Sequence, residues 1–112
     1  MIAVTKHAME FVSAQGRVPD IVVQLAIPCP FITTAKIDEA VSHIANSSTN
    51  CAVSLKRIEH EHPYRAKELL SDGKFQSFVK DVPVETFISR QELPTLYCTS
   101  GAIYSWTSRL LV

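Results

Sequence analysis

Glycine is scarce in this chain, with only three in 112 residues. A loop that cradles phosphate groups needs several glycines, because its backbone N–H groups must approach the anion closely. The sequence also has no GxSxG segment, the turn that carries the serine nucleophile of α/β-hydrolases. The residues alone therefore favour neither a phosphate-binding loop nor a serine hydrolase.

An excess of one charge is also absent, since eleven basic side chains balance eleven acidic ones. No cluster of lysine and arginine provides the basic surface that binds nucleic acid, so nucleic acid is not an expected partner. No run of 18 apolar residues occurs, and no basic segment leads into an apolar one, as a membrane span or a signal peptide requires. The sequence predicts a soluble, cytoplasmic protein with no membrane partner.

Cysteine is the third scarce residue. Cys29, Cys51 and Cys98 are odd in number, far apart and without a CxxC spacing, which argues against a disulfide framework or a metal site. We interpret them as reduced and mostly buried thiols. The remaining composition, 46% apolar and 20% charged, is typical of a small globular domain with one core.

The first half of the chain predicts a helix, a strand and a loop. A helical stripe predicts a helix over about residues 2–15, formed by Val4, Ala8, Phe11 and Val12. Residues 21–26 are an almost unbroken apolar run, which favours a strand covered on both faces in a parallel sheet. Pro28 and Pro30 then require a loop over residues 27–33, at the end of the strand where open α/β sheets bind ligands.

A second helix and a second strand follow. Thr34 is the predicted N-cap, and Asp38 and Glu39 are expected in the first turn, near the positive end of the helix dipole. The apolar stripe of this helix consists of Ile37, Ala40, Val41 and Ile44. Residues 46–50 form a turn, and residues 51–55 predict a second buried strand, reached by a right-handed crossover.

The pattern is less regular over residues 56–94. Extended pieces over residues 65–70 and 74–78 flank a turn at Ser71-Asp72-Gly73, which predicts an antiparallel hairpin. Residues 96–106 predict a last strand, after which Thr107 or Ser108 caps a short helix.

Histidines and glutamates alternate over residues 59–62, and alternate residues of an extended segment share a face, as two metal ligands must. Because no third ligand is evident, a solvated charged turn is the favoured interpretation. His7 and His43 are interpreted as surface residues.

Two dipeptides are candidate binding residues. The guanidinium of Arg90 can grip a carboxylate through two hydrogen bonds, and the Gln91 amide can bind a hydroxyl; the alternative is an ordinary surface pair. Ser100-Gly101 allows either a close approach of backbone to ligand or a β-bulge in the last strand.

Several segments, in order, resemble the acylneuraminate cytidylyltransferase family. The family has segments of the types PDIVVLLQPTSPLR, DIDEAI, DSVVSV, HPY, EDG, RQDLP and NGAIY. This chain has, at natural spacings over essentially its whole length, Pro19-Asp20-Ile21-Val22-Val23, a Pro-Cys-Pro loop, Ile37-Asp38-Glu39-Ala40, the strand at residues 51–55, His62-Pro63-Tyr64, Asp72-Gly73, Arg90-Gln91-Glu92-Leu93-Pro94 and Gly101-Ala102-Ile103-Tyr104.

Members of this family transfer CMP from CTP to a sialic-acid-like or octulosonic 2-keto sugar acid, with Mg²⁺, and release pyrophosphate. The resemblance implies a three-layer α/β/α nucleotidyltransferase-like (Rossmann-like) fold. Residues 1–112 would form one partial domain, in which residues 56–94 are a protruding arm that builds a homodimer. It also implies that Arg90, Gln91, Ser100 and Gly101 bind substrate, with Arg90 holding the acid group.

The departures from the family pattern limit this expectation. The family loop Gln-Pro-Thr-Ser-Pro-Leu-Arg corresponds to residues 26–32, Ala-Ile-Pro-Cys-Pro-Phe-Ile, where the amide and the arginine are absent. Ser100 stands where the family has asparagine, and its hydroxyl is shorter with fewer donors. These changes weaken the expected contacts to the acceptor sugar and leave open whether the sugar acid is sialic acid or another.

Two family elements match nothing in these residues: the basic glycine-containing loop that holds the CTP phosphates, and the aspartates that bind Mg²⁺. Phosphoryl transfer depends on positioning and charge neutralisation, so we expect a fragment or degenerate relative without catalytic or metal-binding residues. The alternatives are a non-enzymatic binding or oligomerisation module on the same scaffold, and an unrelated small α/β protein. A fragment would leave a strand edge and an apolar face uncovered, which favours a dimer or poor solubility.

Overall fold

The computed structural model describes residues 2–82 and 89–111, which form a mixed α/β structure. The helices and strands are, in chain order, α1 (Ile2–Ala14), β1 (Ile21–Leu25), α2 (Thr34–Ala45), β2 (Cys51–Arg57), β3 (Lys67–Leu69), β4 (Phe75–Ser77), β5 (Tyr97–Thr107) and α3 (Ser108–Leu111). Short 3₁₀ helices lie at Pro63–Arg65 and Arg90–Glu92. The predicted elements are therefore present, most of them within two residues of the expected bounds.

The chain divides into two compact units. The first consists of Met1–Leu55 and Thr99–Val112, and the second of Lys56–Cys98. The expected arm, residues 56–94, falls within the second unit, and its role in a dimer stays a prediction.

The sheet of the first unit has the strand order β1-β5-β2. β1 pairs with β5 in antiparallel register, from Ile21 opposite Thr107 to Leu25 opposite Ile103, and the sheet is antiparallel throughout. We expected β1 to lie in a parallel sheet, and this expectation is wrong, because the strand paired with β1 is antiparallel to it. An apolar run indicates that a strand is buried, but it does not encode which distant strand pairs with it. β1 and β2 run parallel to each other with β5 between them, and the handedness of their crossover stays a prediction.

The strand β2 is less buried than the sequence predicts. Its residues alternate between exposed and half-buried, and Val53 and Leu55 are exposed. β2 is an outer strand among the described residues, which explains this exposure. The three cysteines are free, as expected, but Cys51 at the start of β2 is exposed and the other two are half-buried, so the prediction of mostly buried thiols is wrong.

Helix α1 has the predicted length, but most of its apolar stripe is exposed. Val4 and Phe11 of the apolar stripe are exposed, and the buried residue is Thr5. The Thr5 hydroxyl lies 2.9 Å from Oε1 of Gln24 in β1 and donates a hydrogen bond to it. Ala8 is exposed as well, and Val12, the last residue of the stripe, is half-buried.

Helix α2 has its N-cap at Thr33 rather than Thr34, because Thr33 has extended backbone angles and Thr34 is already helical. Asp38 and Glu39 consequently lie beyond the first turn. The apolar stripe of α2 is confirmed: Ile44 is buried and the other three residues are half-buried.

The two long helices lie on opposite faces of the sheet. Gln24 is paired with Tyr104 and shares a face with it, whereas Ile103 points to the other face. α1 contacts Gln24 through Thr5, while α2 and Ile103 line the same cavity. The buried apolar residues of this unit are Ile44, Ile103, Trp106 and Leu111.

The second unit contains the predicted hairpin. β3 and β4 are antiparallel, with Leu69 opposite Phe75 and Glu68 opposite Gln76. Gly73, with φ of 81°, closes the turn, and the Lys74 amide donates to Oδ1 of Asp72 over 3.0 Å. Only glycine adopts this φ without strain, so the turn residues explain the register. None of the described helices has the length and apolar character that crossing a bilayer requires.

Candidate functional site

Arg90 and Gln91 lie in a short 3₁₀ helix of the second unit. Ser89 and Glu92 form a capping box, in which Oε2 of Glu92 accepts a hydrogen bond from the Ser89 amide over 2.9 Å. The sequence Ser-Arg-Gln-Glu encodes this turn directly, because a capping box joins its first and fourth residues. The turn presents Arg90 and Gln91 at the surface, and both are exposed.

The guanidinium of Arg90 is paired with a carboxylate of its own chain. Its Nη2 donates to Oε2 of Glu59 over 2.7 Å, and Nε of Arg57 lies 3.9 Å from the other oxygen, Oε1. Glu59 is therefore shared between two arginines. The Arg90 and Glu59 side chains are 49% and 56% exposed, so the ion pair is solvated and contributes only about 0–1 kcal/mol.

A small cavity of about 50 Å³ lies beside this pair, within the second unit. Among the described residues, its lining includes three arginines, Arg57, Arg65 and Arg90, and one carboxylate, that of Glu59. Arginine stays protonated at any ordinary pH, so positive charge is in excess around the cavity. This arrangement is suited to binding a small anionic group.

His62 lies at the same cavity but is not the solvated residue that the sequence predicts. It is 5% exposed, its Nδ1 accepts a hydrogen bond from the Tyr64 amide over 3.2 Å, and its Nε2 lies 3.0 Å from the Pro94 carbonyl oxygen. Because Nδ1 is an acceptor, the proton is on Nε2, which donates to Pro94. The first hydrogen bond is local and makes His62 the N-cap of the 3₁₀ helix at Pro63–Arg65. The second joins residues 32 apart, a contact that no local pattern encodes.

The metal hypothesis for residues 59–62 gains no support. Within residues 2–82 and 89–111, no three His, Cys, Asp or Glu side chains come together as metal ligands. Both nitrogens of His62 are engaged by the backbone, and His60 is exposed. The described part of residues 59–62 therefore provides no cluster of three metal ligands.

Ser100 and Gly101, the other two predicted site residues, belong to the first unit. The Ser100 hydroxyl is 2.6 Å from that of Ser54 in β2, and Ser54 Oγ accepts a hydrogen bond from the Ile103 amide over 2.9 Å. Gly101 has a φ of 77° inside β5, the left-handed conformation of a glycine bulge. An added Cβ on Gly101 would meet no described atom within 4 Å, so the backbone conformation and not a close approach calls for glycine.

A larger cavity of about 360 Å³ lies between α2 and β2 in the first unit, with Ala40, Val53, Leu55 and Ile103 in its lining. On its α2 side, the Lys36 ammonium donates a hydrogen bond to Glu39 over 2.6 Å. This hydrogen bond and the positive charge of Lys36 lower the pKa of the Glu39 carboxyl group from its ordinary value. The charges on this wall are thus paired with each other.

The sequence did not identify Ser54 or Arg57 as parts of a candidate site, and Glu59 was considered only in the metal hypothesis for residues 59–62. Arg65, although adjacent to the HPY-like segment, was not singled out either. Glu59 is 31 residues from Arg90, and Ser54 is 46 residues from Ser100. No spacing rule connects residues so far apart, so the only available signal was the excess of basic residues over residues 56–65.

Comparisons with known proteins add no assignment. No family model matches this chain, and no curated protein shows significant similarity to it.

Proposed function

We propose that the second unit binds the carboxylate of a 2-keto sugar acid at Arg90, and that the chain is a relative of the cytidylyltransferases that activate such acids with CTP. On this proposal, the chain does not transfer CMP by itself. The observation that carries the proposal is the excess of arginine around the cavity beside Arg90. The ordered resemblance over residues 90–104 supports the choice of acid.

The dimensions of the cavity favour partial entry of the ligand. A volume of about 50 Å³ exceeds the share of one water molecule in the liquid, about 30 Å³, and suits a carboxylate group. A whole sugar acid is much larger, so the ring would lie outside, where the exposed Gln91 amide is available to its hydroxyl groups.

The nucleotidyltransferase-like three-layer fold is part of the same proposal. It is supported by the helices α1 and α2 on opposite faces of the β1-β5-β2 sheet. No step of the proposed function passes through Mg²⁺, since binding of a carboxylate by Arg90 needs no metal ion.

Titration of the chain with N-acetylneuraminic acid, followed by NMR, tests the role of Arg90. We expect weak binding that falls about tenfold in Arg90→Gln, since a charge-assisted hydrogen bond contributes about 1.5–3 kcal/mol and exposure reduces that value. Arg17→Gln is the matched control, because Arg17 is an exposed arginine of the first unit that contacts Gln15.

Three further samples sharpen the same experiment. The methyl ester of the sugar acid lacks the charge and should bind no better to the wild type than to Arg90→Gln. CTP should scarcely bind, and a mixture of CTP, Mg²⁺ and sugar acid should release no pyrophosphate. Equal affinity of wild type and Arg90→Gln for the acid would overturn the proposal, and so would pyrophosphate release.

A second candidate function is a non-enzymatic oligomerisation module. The observation that favours it is the apolar side of the hairpin, where Leu69 and Phe75 lie opposite each other and are 76% and 68% exposed, with Phe78 exposed nearby. Exposed apolar groups of this kind mark interaction surfaces. This candidate predicts self-association without any affinity for sugar acids, which separates it from the first.

A further inference from the structure

We infer that Glu59 is an internal competitor for the sugar-acid site: its carboxylate occupies Arg90 in the free chain and moves to Arg57 when an acid ligand arrives. The inference rests on the proposed role of Arg90, and it concerns how that site is regulated. A carboxylate that already sits on the guanidinium has the chemistry of the ligand group, so the two cannot both hold the same N–H donors.

The geometry favours a contact that opens readily. Only one nitrogen of Arg90 contacts Glu59, through Nη2 and Oε2 at 2.7 Å, whereas a ligand carboxylate can use two parallel N–H donors. The side chains are about half exposed, so water and salt weaken the pair. A residue that held Arg90 in place for a ligand would instead be buried and fixed by several hydrogen bonds.

Arg57 lowers the free-energy cost of moving the Glu59 carboxylate away from Arg90. Its Nε already lies 3.9 Å from Oε1, so a small rotation of the Glu59 side chain closes that ion pair as the one with Arg90 opens. The displaced carboxylate is therefore never left without a cationic partner. Arg57, Glu59 and Arg90 lie on one cavity within the second unit, so the exchange needs no movement of another part of the chain.

A titration with N-acetylneuraminic acid of wild type, Glu59→Gln and Glu61→Gln tests the competitor role. Glu59→Gln should bind roughly 1.5- to 5-fold more tightly, which is the range that loss of an exposed ion pair allows. Glu61→Gln is the control, because it removes the same charge only two residues away. Glu61 is exposed and forms no ion pair with the described residues. Glu61→Gln should change the affinity much less.

Arg57→Gln tests the second half of the exchange. In the wild-type background this substitution removes the arginine to which Glu59 moves. The affinity for N-acetylneuraminic acid should therefore fall slightly. In the Glu59→Gln background it should have a smaller effect, because no carboxylate needs to move.

The outcomes separate this inference from the proposed function. Absence of binding in both the wild type and Glu59→Gln overturns both. Loss of binding in Arg90→Gln with unchanged or weaker binding in Glu59→Gln overturns the competitor role alone, since Glu59 would then position Arg90. An equal increase in affinity for the acid in Glu61→Gln also overturns the competitor role. The increase would then come from the change in net charge and not from removal of Glu59.

Discussion

His62 joins two segments of the second unit that lie 32 residues apart in the sequence. Its ring also meets that of Tyr64 edge to face, with centroids 5.0 Å apart. A hydrogen bond contributes about 1 kcal/mol net and an aromatic pair about 0.5–1.5 kcal/mol. One buried side chain therefore carries a sizeable part of the stability of this unit.

We expect His62→Ala to lower the free energy of unfolding by about 2–3 kcal/mol, because it removes both hydrogen bonds and the ring contact. Urea denaturation measures the loss, and amide exchange at Tyr64 locates it. His62→Asn should recover part of the loss, since asparagine is a good N-cap. His60→Ala is the control, because exposed His60 should change stability by about 0.5 kcal/mol at most; equal effects of His60→Ala and His62→Ala would contradict the assignment.

At the scale of elements, the left-handed Gly101 in β5, which we interpret as a bulge, is the feature that depends most on one residue type. Pairing of β1 with β5 ends at Leu25 opposite Ile103, two residues after Gly101. Close to Gly101, the Ser54 hydroxyl accepts a hydrogen bond from the Ile103 amide, and the Ser100 hydroxyl accepts one from the Ala102 amide over 3.3 Å. The side chains of Ser54 and Ser100 thus provide acceptors for backbone N–H groups on either side of this conformation.

Gly101→Ala should lower the free energy of unfolding by about 1–2 kcal/mol, the cost of a left-handed conformation for a residue with a Cβ. Steric overlap adds nothing, because no described atom lies within 4 Å of the added Cβ. Gly101→Asn should cost less, since asparagine tolerates this conformation better. Thermal unfolding of the two variants checks the prediction, and an alanine variant as stable as wild type would contradict the bulge.

The local elements were largely predictable from the sequence because their signals are short. The hairpin turn at Ser71-Asp72-Gly73 and the stripe of α2 depend on residues a few positions apart. The N-cap of α2 was misplaced by one residue, since Thr33 and Thr34 offer the same side chain. The stripe of α1 predicted the helix but not that most of the stripe is exposed, because periodicity identifies an apolar face and not what covers it.

At the scale of the whole molecule, the exposed apolar groups bear on association. A two-stranded hairpin is marginally stable alone, and Leu69 and Phe75 leave one of its faces uncovered. The opposite face carries Glu68 and Gln76, which hydrogen-bond to each other over 2.8 Å. The two faces therefore offer a direct comparison of apolar and polar substitutions.

We expect the chain to sediment as a dimer, and the double substitution Leu69→Ser with Phe75→Ser to shift it to a monomer at the same concentration. Loss of about 2 kcal/mol or more of apolar burial at each anchor would weaken association strongly. Gln76→Ser on the polar face is the control and should leave the dimer intact, while circular dichroism checks that each variant is folded. A monomeric wild type would contradict the predicted dimer arm.

The sequence by itself determined where helices, strands and the hairpin turn lie, because residue periodicity and turn chemistry act over a few positions. The tertiary structure alone decided that β5 lies between β1 and β2, that Gly101 has a left-handed conformation, and that His62 is buried. It also decided that Arg90, singled out by its sequence context, meets Glu59 and shares a cavity with Arg57 and Arg65. These contacts join residues far apart along the chain, and their partners depend on how the elements pack, which no local pattern encodes.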